Sequence, residues 1–172
     1  IQSFREENLR FLNRNHSSAQ ALTCISQAQD IGIDNISIDL IYSIPGNDLN
    51  DLALDIHKAV DTKVNHISAY SLTIEPKTVF GQQKKKGVFK ELPESIQSQK
   101  FSFTRNLLAK KGFEAYETSN FAKNQRYSKH NTSYWNQESY LGIGPSAHSF
   151  NGSIRSWNVS NNSKYINSIS KN

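Results

Sequence analysis

The feature that most constrains the fold is a β-branched, largely apolar run at 35–46 that ends in Pro45 and Gly46. Strands covered on both faces have near-continuous Val, Ile and Leu runs rather than strict alternation. The run therefore predicts a strand of a buried parallel sheet. Helical patterns precede it at 17–31 and follow it at 49–60. This order is typical of an α/β sheet or barrel, in which ligands bind at the loops beyond the carboxyl ends of the strands.

One charged residue, Asp39, lies inside this apolar run. A buried carboxylate is costly unless a partner hydrogen-bonds it. Two explanations follow from the residues alone. Asp39 faces a polar ligand inside a barrel, or it pairs with a neighbouring arginine or accepts a hydrogen bond from a backbone amide. The spacing leaves both explanations open.

The composition indicates a globular chain of the size of one domain. Of the 172 residues, 36% are hydrophobic and 20% are charged, and no apolar run approaches the ~18 residues of a membrane-spanning helix. The chain starts at Ile1 and contains no Met, so we expect it to be a piece of a longer protein. The single cysteine, Cys24, excludes an internal disulfide and suits a reducing, cytoplasmic compartment. The net charge of +5 permits an anionic partner without identifying one.

Capping and stop signals bound the other predicted elements. Ser17 and Gln20 have the spacing of a capping box, and Gly32 supplies the left-handed residue that ends a helix. The later pattern predicts a strand at 66–73, a helix from 92 to 112 with Ile96, Phe103 and Leu107 facing the core, a short strand at 113–117 and a weak helix at 165–169. Residues 118–140 show little periodicity, which predicts a long loop without regular structure.

That loop contains the sequence Lys-His-Asn-Thr-Ser-Tyr-Trp at 129–135. An imidazole can be an axial haem ligand, and neighbouring aromatic rings can pack on a porphyrin face. The alternative is that Tyr134 and Trp135 are core anchors and that His130 holds the loop through a hydrogen bond. None of the five histidines has zinc-type spacing with a second His or Cys.

Two glycines flank Ile143 in a glycine-rich segment at 141–148. Neither a Lys-Ser/Thr pair nor a correctly placed third glycine follows Gly142 and Gly144, so a phosphate-binding loop and a dinucleotide-binding fingerprint are unsupported. Glycines in such a position instead indicate a close backbone approach to a ligand or to another strand.

Six segments, taken together, resemble one known family. They are 2–14 (Gln-Ser-Phe to Leu-Asn-Arg), 37–46 (Ser-Ile-Asp-Leu-Ile-Tyr-Ser-Ile-Pro-Gly), 68–76 (Ser-Ala-Tyr-Ser-Leu-Thr-Ile-Glu-Pro), 116–121 (Tyr-Glu-Thr-Ser-Asn-Phe), 130–135 (His-Asn-Thr-Ser-Tyr-Trp) and 141–149 (Leu-Gly-Ile-Gly-Pro-Ser-Ala-His-Ser). In order and spacing they resemble the radical S-adenosylmethionine (SAM) family of oxygen-independent coproporphyrinogen oxidases and their relatives. The His-Asn-x-x-Tyr-Trp stretch resembles the HemW branch, whose members are haem-binding chaperones.

The resemblance implies an α/β fold. Residues 1–112 would form the C-terminal half of a (β/α)6 partial TIM-type barrel, and residues 113–172 would form a C-terminal α+β extension. It also implies three cofactors: S-adenosyl-L-methionine, haem and a [4Fe–4S] cluster held by a Cys-x-x-x-Cys-x-x-Cys loop. Those cysteines would lie upstream of Ile1, so we expect no metal ligand of the cluster in this chain and no enzymatic activity from it alone.

The resemblance also assigns site residues by position. Gln2, Arg14 and Asp39 match family residues that contact S-adenosylmethionine, and His130 matches the motif that the family links to haem. Arg14 could pair the methionyl carboxylate through two hydrogen bonds, while Gln2 and Asp39 could hold ribose hydroxyls. This match favours the ligand explanation for Asp39. Ser43 departs from the family, which usually has glycine at this position.

Two functions from different classes follow. The first is a haem chaperone that binds haem and transfers it to an acceptor protein. The second is an oxygen-independent coproporphyrinogen III oxidase, which decarboxylates coproporphyrinogen III to protoporphyrinogen IX with a 5′-deoxyadenosyl radical. A third reading, independent of the family, is a plain α/β interaction domain. The expected partners are haem or a porphyrinogen and a haem acceptor, with peripheral membrane contact of the longer protein and without nucleic acid. We also expect self-association, because half a barrel exposes strand edges and apolar faces.

Overall fold

The computed structural model describes residues 1–170, which form two compact units. The first unit comprises Ile1–Tyr127 and the second begins at Ser128. The first contains α1 (Glu6–Phe11), α2 (Ser18–Asp30), β1 (Ser37–Tyr42), α3 (Leu49–Asp61), β2 (His66–Ser71), α4 (Val79–Lys85), α5 (Glu94–Lys110), β3 (Glu114–Ala115) and β4 (Asn120–Ala122). The second contains α6 (Lys129–Trp135), β5 (His148–Phe150), β6 (Arg155–Trp157) and α7 (Asn162–Ile169). Over the described residues, no helix has the length and apolar content needed to cross a membrane.

The first unit is built on a mixed four-stranded sheet in the order β1-β2-β4-β3. β1 and β2 are parallel and are connected through α3, whereas β4 is antiparallel to both β2 and β3. The predicted strand at 35–46 is therefore confirmed as β1, and the helix predicted at 49–60 is confirmed as α3. A strand, a helix and a parallel strand form the repeating unit of α/β folds.

The two faces of the sheet differ in chemistry. Apolar side chains of alternate strand residues pack with α3 and α5 in the core, among them Ile38, Leu40, Ile67 and Phe121. The burial of β1 alternates, because successive side chains point to opposite faces. The prediction that β1 is covered on both faces is wrong for the described residues, since Asp39 is exposed on the second face.

The N-terminal segment lies beside β1 and is held by α3. The Ile41 amide donates to the carbonyl oxygen of Gln2 at 2.8 Å. The Asp55 carboxylate of α3 accepts hydrogen bonds from the Ser3 hydroxyl at 2.5 Å and from the Phe4 amide at 2.7 Å. Burial raises the pKa of Asp55, although these hydrogen bonds oppose the shift. This anchoring fixes the position of Gln2 relative to the strand.

The helix ends follow the predicted signals, and the core face predicted for α5 is confirmed in part. The capping box between Ser17 and Gln20 is present at the start of α2, and Gly32 adopts a φ of +86° after its end. In α5 the predicted core residues Phe103 and Leu107 pack against the core, whereas Ile96 is 38% exposed. The fully buried residues of this helix are Lys100, Thr104 and Leu108. The polar residues are buried at acceptable cost because they are hydrogen-bonded: Lys100 donates to the carbonyl oxygen of Asn47 at 2.6 Å and Thr104 donates to that of Lys100 at 2.8 Å.

Residues 118–140 are more regular than the sequence indicated. They contain the buried strand β4, which lies between β2 and β3, and the helix α6. The prediction of a long irregular loop is therefore wrong, and His130 lies on a helix. Elements of three and seven residues are too short to show a clear period in the sequence. β3 and β4 follow residue 112 and pair within the first unit. The barrel boundary expected at residue 112 stays a prediction.

Candidate functional site

The face of the first sheet opposite the apolar core carries a polar network, which we call the polar face; it is exposed at β1 and buried at β2 and β4. It is formed by Ser37 and Asp39 of β1, His66 and Ser68 of β2, and Asn120 of β4. Residues paired across neighbouring strands point to the same side of a sheet, and the register pairs Asp39 with Ser68 and Ser68 with Asn120. The Ser68 hydroxyl donates to the Asn120 side-chain oxygen at 2.7 Å. The Asn120 amide in turn donates to the Glu117 carboxylate at 2.6 Å.

His66 links Ser37 of this network to Tyr116, in the segment between β3 and β4. Its Nδ1 lies 2.7 Å from the Ser37 hydroxyl, and its Nε2 lies 2.6 Å from the Tyr116 hydroxyl. Only 2% of its surface is exposed. Burial lowers the pKa of His66, and the negative charges of Asp39 and Glu117 oppose that shift. The imidazole is therefore neutral at neutral pH and serves as a hydrogen-bonded bridge.

Asp39 has neither of the partners that the alternative explanation requires. Over residues 1–170, its carboxylate forms no ion pair and accepts no hydrogen bond from a backbone amide. It lies on the polar face, away from the packed side of the sheet. Together with Ile1 and His16 it lines a cleft of about 390 Å³. An exposed carboxylate at the wall of a cleft is available to a ligand.

The structure places Gln2 beside β1, the strand that carries Asp39, but does not join Arg14 to them. The main chain of Gln2 is bonded to Ile41, two residues beyond Asp39. The side-chain oxygen of Gln2 is buried without a hydrogen-bond partner, and so is Nε2 of His16. Arg14 is exposed and immediately precedes the segment that leads to His16. In the described part of the chain its guanidinium contacts no carboxylate of the site.

The residues beside β1 fit a nucleoside ligand. Buried polar atoms without partners are rare in folded proteins and call for an explanation. The oxygen of Gln2 can accept a hydrogen bond, and the carboxylate of Asp39 can accept two from neighbouring hydroxyls. These are the acceptors that ribose hydroxyls require. The roles of Gln2, Arg14 and Asp39 in binding S-adenosylmethionine stay predictions.

A second candidate site lies wholly within the second unit, and we call it the histidine cleft. It has a volume of about 580 Å³ and is lined chiefly by His130, Tyr134, Tyr140, Leu141, Ile143 and His148. Its walls are aromatic and aliphatic with two imidazoles, which is the usual character of a site for a large, mostly apolar ligand.

His130 is exposed on α6 and is stacked edge-on against an aromatic pair. Its ring centroid lies 4.8 Å from that of Tyr134, whose ring lies 4.6 Å from that of Tyr140. Tyr134 and Trp135 are 42% and 49% exposed, so neither is a core anchor. Within the described residues no hydrogen bond engages a ring nitrogen of His130. The alternative in which His130 holds a loop through a hydrogen bond is thus unsupported.

The loop at 141–147 presents two aliphatic side chains at the cleft. Leu141 is 80% exposed and Ile143 is 82% exposed. The Asn158 side-chain amide fixes the loop by donating to the carbonyl oxygens of Gly142 and Gly144, at 3.2 and 2.9 Å. A Cβ at Gly142 would lie 2.0 Å from the carbonyl oxygen of His148. The predicted close backbone approach to another strand is confirmed.

His148 is the residue of this cleft that sequence reasoning missed. It lies on β5 and lines the cleft together with His130. The distance along the chain between the two histidines follows no metal-ligand spacing, so the sequence contained no signal for the pair. Among residues 1–170 no group of three or more His, Cys, Asp or Glu side chains could hold a metal ion, and Cys24 is exposed.

Comparison with curated proteins shows relatives that match nearly the whole chain. The chain is 36% identical to a heme chaperone HemW from Bacillus subtilis (strain 168) over 171 residues, which is 99% of this chain and 45% of that protein. It is 33% identical to a heme chaperone HemW from Lactococcus lactis subsp. lactis (strain IL1403), over 92% of this chain and 42% of that protein. The chain thus spans a little less than half the length of these relatives. No family model matches it.

A solved structure shows the fold. The coproporphyrinogen III oxidase HemN from Escherichia coli, described as a radical SAM enzyme, superposes with a TM-score of 0.81 at 20% sequence identity. The match covers 99% of this chain and 42% of that one. The expected α/β class is confirmed: the chain has the fold of part of a radical SAM enzyme.

Proposed function

We propose that the chain is part of a HemW-type protein and contributes the haem-binding site of a haem chaperone, as its similarity to proteins of that name suggests. Haem binds in the histidine cleft, and His130 is an axial ligand of its iron. The loaded protein then transfers haem to an acceptor protein, in keeping with the names of the relatives. A cytoplasmic location, which the single cysteine favours, is part of the proposal.

The observation that carries the proposal is the combination of an available imidazole with exposed apolar walls. Leu141 and Ile143 expose most of their surface beside His130. Exposed apolar groups gathered around a cleft indicate a surface that a ligand or partner covers. A porphyrin offers a planar apolar face of matching character, and its iron accepts an imidazole nitrogen.

Titration of the 172-residue chain with ferric haem tests this proposal. We expect His130→Ala to weaken haem binding at least tenfold, because the variant loses an axial ligand while the cleft walls remain. Absorbance in the Soret region and quenching of tryptophan fluorescence measure the affinity. His57→Ala, on α3 in the other unit, is the matched control and should bind like the wild type. Equal affinity of the His130→Ala variant and the wild type would contradict the proposal.

We propose that the polar face and its cleft form part of a site for S-adenosylmethionine. Gln2, Arg14 and Asp39 hold this cofactor, and the ligands of a [4Fe–4S] cluster come from outside the described residues. Two features support the proposal: the Asp39 carboxylate lacks a partner, and so does the buried oxygen of Gln2. Bound S-adenosylmethionine would occupy these hydrogen-bonding groups in the longer protein.

Asp39→Asn tests this second part in a protein of the length of the relatives. A hydrogen bond to a charged group contributes about 1.5–3 kcal/mol, so we expect affinity for S-adenosylmethionine to fall about tenfold or more. Equilibrium dialysis with the labelled cofactor measures it. The matched control is Asp61→Asn, which changes an exposed carboxylate at the end of α3 in the same unit. Unchanged affinity in Asp39→Asn would remove Asp39 from the site.

The alternative function is that of an oxygen-independent coproporphyrinogen III oxidase. The observation that favours it is the structural similarity to an enzyme of that name, which concerns the fold alone. The two functions differ in product. Conversion of coproporphyrinogen III to protoporphyrinogen IX by the longer protein would establish the oxidase, whereas stable haem binding without conversion supports the chaperone.

A further inference from the structure

The histidine cleft contains a second imidazole for which the proposed function has no role. His148 is exposed on β5, and His130 is exposed on α6. The two residues line the same cleft from two different elements of the second unit. Over the described residues no hydrogen bond engages a ring nitrogen of His148. Both imidazoles can therefore offer a nitrogen lone pair to a metal.

The backbone around His148 is firmly fixed. Gly142 approaches it so closely that no side chain fits between them, and the Gly142 amide donates to the Ser149 hydroxyl at 2.9 Å. The Asn158 amide donates to the carbonyl oxygen of Ala147 at 2.9 Å, directly before His148. A ligand held on a rigid element loses little conformational entropy when it coordinates a metal.

A neighbouring cleft extends the surface available to a large planar ligand. His148 also lines a space of about 630 Å³ together with Trp157 and Lys164. The Trp157 indole is 70% exposed, and its ring centroid lies 6.0 Å from that of His148. Trp157 provides an aromatic surface on this side, and Lys164 provides a positive charge that can attract a carboxylate.

We infer that His148 is the second axial ligand of the haem iron, so that the iron is bound between His130 and His148. The inference rests on the proposed function, because it concerns the same cleft. An iron porphyrin has two axial positions, and neutral imidazole is a common ligand for iron. The propionates of haem then lie toward the cleft that contains Lys164. Two imidazole ligands make the ferric iron six-coordinate and low-spin.

Absorption and electron paramagnetic resonance spectra of the haem-loaded 172-residue chain test the inference. We expect a low-spin ferric signal in the wild type. His148→Ala should retain haem through His130 but lose the low-spin signal in favour of a high-spin one, and added imidazole should restore it. His57→Ala is the control and should keep the wild-type spectrum. A low-spin spectrum in His148→Ala identical to that of the wild type would overturn the inference.

A second variant keeps the inference testable if His148→Ala fails to fold. His148→Met replaces one ligand by another, and Met/His ligation raises the reduction potential of haem. We expect a higher midpoint potential in this variant than in the wild type, and an unchanged potential would contradict the inference. The outcomes for the two proposals differ. A low-spin spectrum that is lost in His130→Ala but unchanged in His148→Ala refutes this inference alone, whereas a wild-type chain that binds no haem refutes the proposed function.

Discussion

Ser43 shows how one residue can store strain at the end of a strand. It follows β1 directly and has a φ of +62°, a conformation that costs an L-residue roughly 1–2 kcal/mol and that glycine adopts freely. The residue is 4% exposed, and its hydroxyl is buried without a hydrogen-bond partner. A glycine at this position would avoid both costs.

We therefore expect Ser43→Gly to stabilise the chain. Relief of the left-handed strain and removal of an unsatisfied hydroxyl outweigh the added flexibility of the unfolded chain, so the free energy of unfolding should rise by about 1 kcal/mol. Urea denaturation of both chains measures the change. Ser146→Gly, which replaces an exposed serine with the same φ of +62°, is the control that isolates the contribution of the backbone. A loss of stability in Ser43→Gly would refute this explanation.

At the residue scale, the sequence identified candidate functional residues but did not show which residues lie together in space. Asp39 was noticeable because a charge interrupts an apolar run, and His130 because aromatic residues follow it. The orphaned nitrogen of His16 and the position of His148 left no such sign. Both depend on which elements meet in space, and spacing along the chain does not encode this.

At the scale of the elements, the parallel pairing of β1 and β2 is supplemented on the polar face by the side chain of His66. His66 of β2 contacts Ser37 of β1 through Nδ1 and Tyr116 through Nε2. Because burial lowers its pKa from the ordinary value of 6.5, the folded chain takes up a proton on His66 less readily than the unfolded chain does. Protonation therefore favours unfolding.

The free energy of unfolding should accordingly depend on pH through His66. Where the unfolded state binds more protons, stability falls as the pH is lowered. The contribution is complete above pH 6.5 and is lost as the pH falls through 6.5 toward the lowered pKa of the folded state. His66→Gln removes the titrating group, so its stability deficit relative to the wild type should be larger at pH 8 than at pH 5. Urea denaturation at both values tests this, and an equal deficit at the two pH values would argue against it.

At the element scale, the helices predicted correctly were those that are long and have clear capping signals. α2 and α3 have complete capping boxes, and their bounds agree with the patterns read from the sequence. β4 and α6 were missed because a strand of three residues and a helix of seven present too few positions for periodicity. In α5, Phe103 and Leu107 were placed correctly, but the burial of Lys100 and Thr104 was missed because both donate hydrogen bonds to backbone carbonyl oxygens. Hydrophobicity alone cannot predict such burial.

At the scale of the whole molecule, two units present two distinct chemistries. The first offers a polar sheet face with unpartnered hydrogen-bonding groups, and the second offers an apolar cleft with two imidazoles. The first suits a polar nucleoside and the second a porphyrin. The hydrophobic pattern predicts an α/β sheet, but it does not predict how many strands a barrel has. The prediction of a partial barrel therefore came from the resemblance to a family. Self-association of the chain stays a prediction.

The central claim, that the second unit binds haem, is tested most directly by locating the bound porphyrin. Gallium(III) protoporphyrin IX is diamagnetic and accepts axial ligands, so amide chemical shifts of the isotope-labelled chain can be followed during its addition. We predict that the shifts concentrate in α6, in the loop at 141–147 and in β5. Shifts concentrated instead on the polar face around Asp39 and His66 would contradict the claim and favour a porphyrin substrate bound inside a barrel.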